Sequence, residues 1–404
     1  MVKLRSLIMS ILTISFLTTS GCAGISGESA DGNDLDLDIG MTASSKSKNK
    51  NNLGTALDKK IKNSNGIPLD AATNWRSFFK PPPNAKERSL LEQRLDTWKA
   101  RDSAADLIAK GKAELVIGRL VAAESSYRQA LRRDSGNTEA MLELAALYLR
   151  LQRYTDAFDF LAQAKEAIST QDGVAQSLIF KYRYTLALAY VSRGDREKGH
   201  KVLSDLIGID KSFAPAYAAL GASYMAVGRD SVAEFVVRRG LDRVQDSASL
   251  LNLLGVIMQK RKLADEARIL FDKALQVSPA YSPALVNRAV LSTESMEFSA
   301  AEEDLLQALK LDPQNVDALV ALGVVQKRQG NYSGAKTSFS KAVDIGPDNP
   351  YARFNLGVLF ADQLKRPNEA VRLFREVTQT SGASVEVKDL ARSYINELQP
   401  VAVR

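Results

Sequence analysis

Small residues recur every 34 positions along the last three quarters of this 404-residue chain, and they do so in three series that keep step with one another. The series are Gly221, Gly255, Ala289 and Gly323; Ala233, Ala267, Ala301 and Ala335; and Gly240, Ala274, Ala308 and Ala342. Small residues at such an interval are typical of stacked helix-turn-helix pairs, which pack too closely for large side chains. The pattern therefore predicts an all-α solenoid.

The most complete unit spans residues 316–349, and the unit 248–281 matches it closely. Their shared pattern is Leu322, Gly323, Ala335, Phe339, Ala342 and Pro347 in the first, and Leu254, Gly255, Ala267, Phe271, Ala274 and Pro279 in the second. This pattern resembles the tetratricopeptide repeat (TPR). The resemblance implies a right-handed superhelical solenoid of about eight helix-turn-helix repeats that ends in a C-terminal capping helix.

The repeat phase also predicts the organisation of the chain. The array covers 104–383, with units that begin at residues 104, 138, 180, 214, 248, 282, 316 and 350. Eight extra residues, 172–179, separate the second and third units and are expected to lengthen a helix or a loop. The last unit takes one inserted residue near Pro367. An N-terminal capping helix is expected in 84–103, with Asn84 as its N-cap, and a C-terminal capping helix and tail in 384–404.

The N-terminal segment 1–21 resembles a secretory signal peptide, with Lys3 and Arg5 before a short apolar core. It is followed by Cys22, the only cysteine of the chain. Small residues before a single cysteine resemble the bacterial lipoprotein cleavage site, although Thr19 stands where that family usually has Leu. The resemblance implies that Cys22 is lipidated. The alternative is plain secretion with an incidental cysteine, but a lone thiol cannot form an internal disulfide, which favours the lipid.

The segment 22–83 is interpreted as the lipidated cysteine followed by a disordered tether. It lacks hydrophobic periodicity and has too few large apolar residues to offset the entropy of ordering. Ala23 follows the cysteine, whereas an Asp there would be expected to retain a lipoprotein at the inner membrane. The resemblance therefore implies an outer-membrane lipoprotein that faces the periplasm.

Candidate chemistry is scarce in this sequence. His200 is the only histidine, so no set of His and Cys ligands for a metal is available, and no motif places a nucleophile beside a base. We therefore expect no catalytic site, metal or cofactor, no small-molecule substrate, and a structural or surface role for His200. The formal net charge of +7 is mild for the length, and no basic helix carries interleaved stacking aromatics, so nucleic acid is not expected as a partner.

In the TPR family the first helix of each unit lines a concave groove. Carried over by register, the resemblance implies an apolar partner-binding groove with one polar member, formed by Asn252, Val256, Val286, Val290, Val320, Val324, Tyr351, Phe354 and Val358. An exposed apolar strip usually marks a partner site, here suited to an amphipathic helix or an extended apolar peptide. The alternative is that the tether, a chain end or tight superhelical closure covers these residues.

Lipobox, tether and TPR array together resemble the TPR lipoproteins of pilus and secretion systems, namely type IV pilotins and the tight-adherence (Flp) pilus lipoprotein. This resemblance implies a non-catalytic scaffold at the outer membrane. Its partner would be a secretin or another pilus or secretion component, held in the groove while the lipid at Cys22 anchors the scaffold. One alternative is an envelope adaptor that tethers cell-wall hydrolases. A less favoured alternative is an enzyme with an unrecognised site.

Overall fold

The computed structural model describes residues 85–98, 103–170, 174–380 and 382–399, and in this part of the chain it has eighteen α-helices and no strand. The helices are α1 (Ala85–Asp96), α2 (Ala104–Val116), α3 (Leu120–Arg133), α4 (Thr138–Arg150), α5 (Tyr154–Thr170), α6 (Gln176–Arg193), α7 (Arg196–Ile209), α8 (Ala214–Ala226), α9 (Asp230–Leu241), α10 (Ala248–Lys260), α11 (Ala264–Val277), α12 (Ser282–Glu294), α13 (Phe298–Leu311), α14 (Val316–Arg328), α15 (Tyr332–Ile345), α16 (Pro350–Val358), α17 (Pro367–Gln379) and α18 (Val385–Leu398).

The helices from α2 to α17 form eight consecutive antiparallel pairs, which we number units one (α2 and α3) to eight (α16 and α17). Several first helices begin at a side chain that accepts a hydrogen bond from a free backbone amide of the first turn. Asn137 accepts from Ala140 N and Asn315 from Ala318 N, each at 3.0 Å. Such caps satisfy amides that have no partner within the helix, and so they define where each unit starts.

The turn within each unit reverses the chain through one residue with positive φ. In units one, three, four and seven this residue is glycine, at Gly118, Gly194, Gly228 and Gly330. In units two, five, six and eight it is Gln152, Lys262, Met296 and Lys365, with φ between 54° and 65°. A side chain in this region costs free energy that glycine avoids. All eight turns therefore have a positive φ, even where the residue is not glycine and adopts this conformation at a cost.

Within a unit the two helices approach closely at one small residue. A Cβ added to Gly323 would lie 2.5 Å from the Phe339 ring, and one added to Gly255 would lie 2.6 Å from the Phe271 ring. Both rings are fully buried. The small residue and the aromatic ring therefore fit into each other, which is the packing that the 34-residue series predicts. The expectation of an all-α solenoid of helix pairs is confirmed.

First and second helices lie in different layers. From unit two onwards, each first helix contacts the first helix of the next unit, and α16 contacts α18 in the same way. Each second helix packs against its own first helix and the first helix of the following unit. Since the first helices approach one another, they form the inner layer of the curved stack and the second helices form the outer layer.

Two irregular places interrupt the repeat. In unit three, α6 begins at Gln176 and has 18 residues, against 13 in most other first helices. In unit eight, α16 continues into a π-helical turn, Leu359–Gln363. A π turn takes up one additional residue without ending the helix. The inserted residue of the last unit is accommodated here, just before Pro367.

Candidate functional site

The inner layer of units five to eight contains the nine residues that the sequence assigns to an exposed groove. Eight of them are buried, with 2–8% of their surface exposed: Asn252, Val256, Val286, Val290, Val320, Val324, Phe354 and Val358. Tyr351 is partly buried. The expectation of an exposed apolar strip is therefore wrong for these eight side chains, whereas their assignment to partner binding stays a prediction.

The reason for this burial is the contact between neighbouring first helices. Val286, Val290, Val320, Val324, Phe354 and Val358 belong to one continuous hydrophobic core. Asn252 accepts a buried hydrogen bond of 2.9 Å from the side-chain amide of Asn287 in the next unit. The first helices of neighbouring units lie close together and cover the short valine side chains. The valines therefore pack between the units instead of lining an open surface.

The inner layer of units one to three has buried apolar side chains, Ile108 and Leu142 among them, but adds ion pairs to them. Lys112 Nζ lies 2.5 Å from Glu139 Oε1 and 3.3 Å from Glu143 Oε1, and Lys181 Nζ lies 2.6 Å from Glu143 Oε1. The Glu143 and Lys181 side chains are only 9% and 10% exposed. The pairs join α2 to α4 and α4 to α6, so each bridges two neighbouring first helices. We call these four residues the ion-pair network.

Electrostatics in this network stabilises the charged forms. Burial acts to lower the pKa of Lys112, but the carboxylates of Glu143 and Glu139 outweigh this effect and raise it above its usual value. Lys112, Glu139 and Lys181 lie at the groove positions of the TPR register. The register that identified the valines would therefore also have found these charges if it had been applied to units one to three.

Accessible inner-layer side chains remain in unit four and at the ends of first helices. Ala218 and Ala222 lie on α8 at the positions equivalent to Asn252 and Val256, and both are only partly buried. Lys327 and Tyr351 are also partly buried, at the end of α14 and the start of α16. These residues are among the inner-layer positions that a partner can reach in the described structure.

His200 lies on the outer helix of unit three and packs between units. Its Nε2 is 2.7 Å from Ser223 Oγ, and its ring centroid is 4.5 Å from that of Tyr224. Burial, together with the charges of Arg196 and Arg229, lowers the pKa of His200 to about 4. Ser223 is only 1% exposed, so a substrate cannot reach its hydroxyl. The expectation of a structural or surface role for His200 agrees with this position between two units.

Arg288 stands at a repeat position where most units have an apolar side chain, such as Leu254 and Leu322. Its guanidinium binds Asp304 through two hydrogen bonds of 2.8 and 2.7 Å and binds Asp272 at 2.6 Å. The hydrogen bond to Asp304 is the main cause that raises the pKa of Arg288. Asp304 is buried. The arginine therefore links units five and six through paired charges where most units use an apolar side chain.

Other expectations concern regions outside this geometry. The signal peptide, Cys22, the tether and Asn84 all lie outside the described residues. Within the described ranges, none of the helices combines the length and the apolar character needed to cross a membrane. In the same ranges, no three or more His, Cys, Asp and Glu side chains come together as a group that could hold a metal ion.

A family model for the tetratricopeptide repeat matches the chain at residues 108–172, 295–350 and 325–384. These matches fall in units one and two and in units six to eight. These matched stretches therefore resemble tetratricopeptide repeats, and the fold of the described residues is that of a TPR solenoid.

Similar proteins cover the chain unevenly. Over 204 residues it is 26% identical to "Cellulose synthase operon protein C" of Xanthomonas axonopodis pv. citri (strain 306), which is 49% of this chain but only 14% of that protein. The crystal structure of the APC/C hetero-tetramer Cut9-Hcn1 has a TM-score of 0.52 and 13% identity over 75% of this chain and 58% of that one. A structure of Pseudomonas aeruginosa pilF has a TM-score of 0.43 and 21% identity over 53% of this chain and 97% of that one. The likeness to Cut9-Hcn1 shows the fold.

Proposed function

We propose that this protein is a non-catalytic scaffold that binds another protein along the inner layer of its TPR array. The observation that carries this proposal is the array itself, because stacked helix pairs create an extended curved surface and TPR folds are typically scaffolds. The ionisable groups described above also support it. The ion-pair network, His200 and Arg288 all join one unit to the next.

The burial of the valines changes which residues the partner would touch. We assign the contact surface to Ala218, Ala222, Lys327 and Tyr351, with the buried valines fixing the spacing of the helices behind it. Tyr351 belongs to the original nine groove residues, and an aromatic residue of this kind often contributes strongly to binding. The valines then act through the shape of the surface and not through direct contact.

The cellular role follows from the sequence of the N-terminus. The signal segment, Cys22 and the tether support a scaffold that is lipid-anchored to the outer membrane and faces the periplasm. There it would assist assembly of a pilus or secretion apparatus by binding a secretin or another component of that apparatus. The lipid would hold the scaffold at the membrane while the array holds its partner.

A second candidate role comes from the relative named for a cellulose synthase operon. A scaffold of the same kind would then serve a cellulose synthase system and not a pilus. The similarity covers half of this chain and a small part of that protein, so it supports the shared helical array more than the shared partner. An adaptor for cell-wall hydrolases remains the further alternative within the binding class.

Site-specific photocrosslinking tests where the partner binds. A photoreactive residue at Ala222 or Lys327 is expected to form a covalent complex with the partner in cells, because both positions lie on the accessible inner layer. The matched control is Thr337, which is exposed on the outer helix α15. Equal crosslinking from Thr337 and the two inner positions would contradict the proposed surface, and the crosslinked protein separates the pilus, cellulose and hydrolase alternatives.

Metabolic labelling with an acyl chain tests the anchor separately. The wild-type protein is expected to incorporate the label, and Cys22→Ser is expected to abolish it, because the thiol of Cys22 is the proposed attachment point. Label that persists in Cys22→Ser would overturn the anchor without affecting the proposed binding surface.

A further inference from the structure

Helix α1 contacts two units that are far apart in the chain. The Arg88 side chain donates to the carbonyl oxygen of Ile117 at 2.6 Å and to that of Leu311 at 2.5 Å, with a longer contact of 3.4 Å to Val116 O. Arg88 and Leu311 are separated by 223 positions. Arg88 is 7% exposed, so this contact lies inside the structure and not on its surface.

The three carbonyls belong to helix C-termini. Val116 is the last residue of α2, Ile117 follows it, and Leu311 is the last residue of α13. The last carbonyls of a helix have no partner within the helix and carry its negative dipole end. One guanidinium has five donors in a planar fork, so it can serve two such ends at once. Arg88 therefore joins unit one to unit six by charge and by hydrogen bonds.

Further contacts surround this arginine. A Cβ added to Gly118, in the turn of unit one, would lie 3.1 Å from Gln314 Oε1, in the loop after unit six. A cavity of about 530 Å³ lies beside them. Its lining comes from units one and two on one side, and from units six and seven on the other: Leu115, Arg150, Ser282, Val286, Asp312 and Asn315. The edge of the first two units thus faces the edge of the sixth and seventh. We call this boundary the seam.

We propose that α1 is a clasp that holds the superhelix closed at the seam through Arg88. Each unit of a solenoid packs against its neighbours in sequence, so its overall curvature is otherwise set by a series of nearest-neighbour contacts. Small changes in angle add up over the five junctions between unit one and unit six, and a contact between these two units restrains their sum. Release of the clasp would open the seam and widen the cavity that Val286 also lines. This inference does not depend on the proposed partner.

Distance measurement between spin labels across the seam tests the clasp. The labels are placed at Val121→Cys, 85% exposed at the start of α3, and Lys310→Cys, exposed in the last turn of α13, in the full chain with Cys22→Ser. Unaltered Arg88 is expected to give one narrow distance distribution. Arg88→Met keeps the length of the stem but removes the donors, so the distribution is expected to broaden and shift to longer distances.

Arg94→Met is the matched control, because Arg94 lies on the same helix but is exposed, and it is expected to leave the distribution unchanged. Circular dichroism checks that each variant keeps its helices. If Arg88→Met unfolds, Arg88→Lys decides the question, because lysine keeps the charge but lacks the fork and should still lengthen the distance. A distribution identical to wild type in a folded Arg88→Met, or in Arg88→Lys where Met unfolds, would overturn the clasp.

Discussion

The inner layers of units one to three and of units five to eight occupy the same register, and apolar side chains pack in both, but among the described residues only the first carries a network of ion pairs between neighbouring first helices. In the first region Lys112, Glu139, Glu143 and Lys181 bridge neighbouring first helices. In the second, valines from successive units pack into one continuous core. The helix-pair scaffold is shared, while the side chains that join the pairs are not. A repeat can therefore change the interaction between its units without changing their geometry.

This difference has consequences for stability. Apolar contacts contribute in proportion to the area removed from water. Buried ion pairs must first offset the cost of removing two charges from water, so they contribute less or nothing net. We therefore expect the valine-joined region to be the more stable part of the array. In the ion-pair region, we expect removal of one charged side chain of a pair to lower stability more than removal of both.

The largest expected effect is a charge placed among the valines. Val324→Lys buries an ammonium at a site that is 5% exposed and surrounded by the core, which should cost roughly 3–5 kcal/mol in the free energy of unfolding. Urea denaturation measures this loss. Val385→Lys, at a site 69% exposed, is the control and should change stability by less than about 0.5 kcal/mol. A loss below about 1 kcal/mol in Val324→Lys would show that the valines are accessible after all.

The next effect concerns the ion-pair network. Glu143→Leu removes the carboxylate that neutralises Lys181 in a nearly buried pair and should cost about 3 kcal/mol. Adding Lys181→Met should recover a large part of this loss, because no uncompensated charge then remains. The urea midpoints of the two single variants and the double variant give the coupling free energy. Additive losses would contradict a coupled pair.

The shared scaffold should respond equally in both regions. Gly323→Ala and Gly111→Ala each place a methyl group 2.5 Å from a buried ring, that of Phe339 or Tyr127, and each should cost about 2 kcal/mol. Gly208→Ala is the control, since nothing lies within 4 Å of its added Cβ, and it should be neutral or slightly stabilising. Thermal unfolding compares the three variants. A much smaller loss at Gly111 would mean that the two regions differ in their helix pairs as well as in their inner layers.

The smallest effects are expected at the turns. Met296→Gly and Gln152→Gly relieve positive φ values of 64° and 57°, and each should stabilise the protein by about 0.5–1 kcal/mol. The reverse change, Gly330→Ala at φ 82°, should destabilise it by about 1 kcal/mol. Differential scanning calorimetry resolves these shifts. A loss of stability in both glycine variants would indicate that the side chains at these turns make contacts worth more than the strain.

Much of the fold could be predicted from the sequence because its cause is local. The fit between Gly323 and Phe339 lies within one unit, so the 34-residue spacing reports it directly. The inserted residue of the last unit was also visible, although not its π-helical form at Leu359–Gln363.

The exposure of the inner layer could not be predicted in the same way. The solvent exposure of Val290 and Val324 depends on the distance between the first helices of successive units. A small rotation of each unit relative to the next changes that distance. The contact between Arg88 and Leu311 depends on the sum of such rotations over several units. No local pattern reports it. The ion-pair network was readable from the register, since Lys112 and Lys181 lie at groove positions.

We expect the inner contacts between units to be weaker at the N-terminal end of the array and stronger at its C-terminal end. Hydrogen exchange measured by mass spectrometry at increasing, sub-denaturing urea concentrations tests it unit by unit. We expect α2 to α7 to lose protection at lower urea concentrations than α10 to α17. Simultaneous loss along the whole array, or earlier loss in α10 to α17, would contradict it.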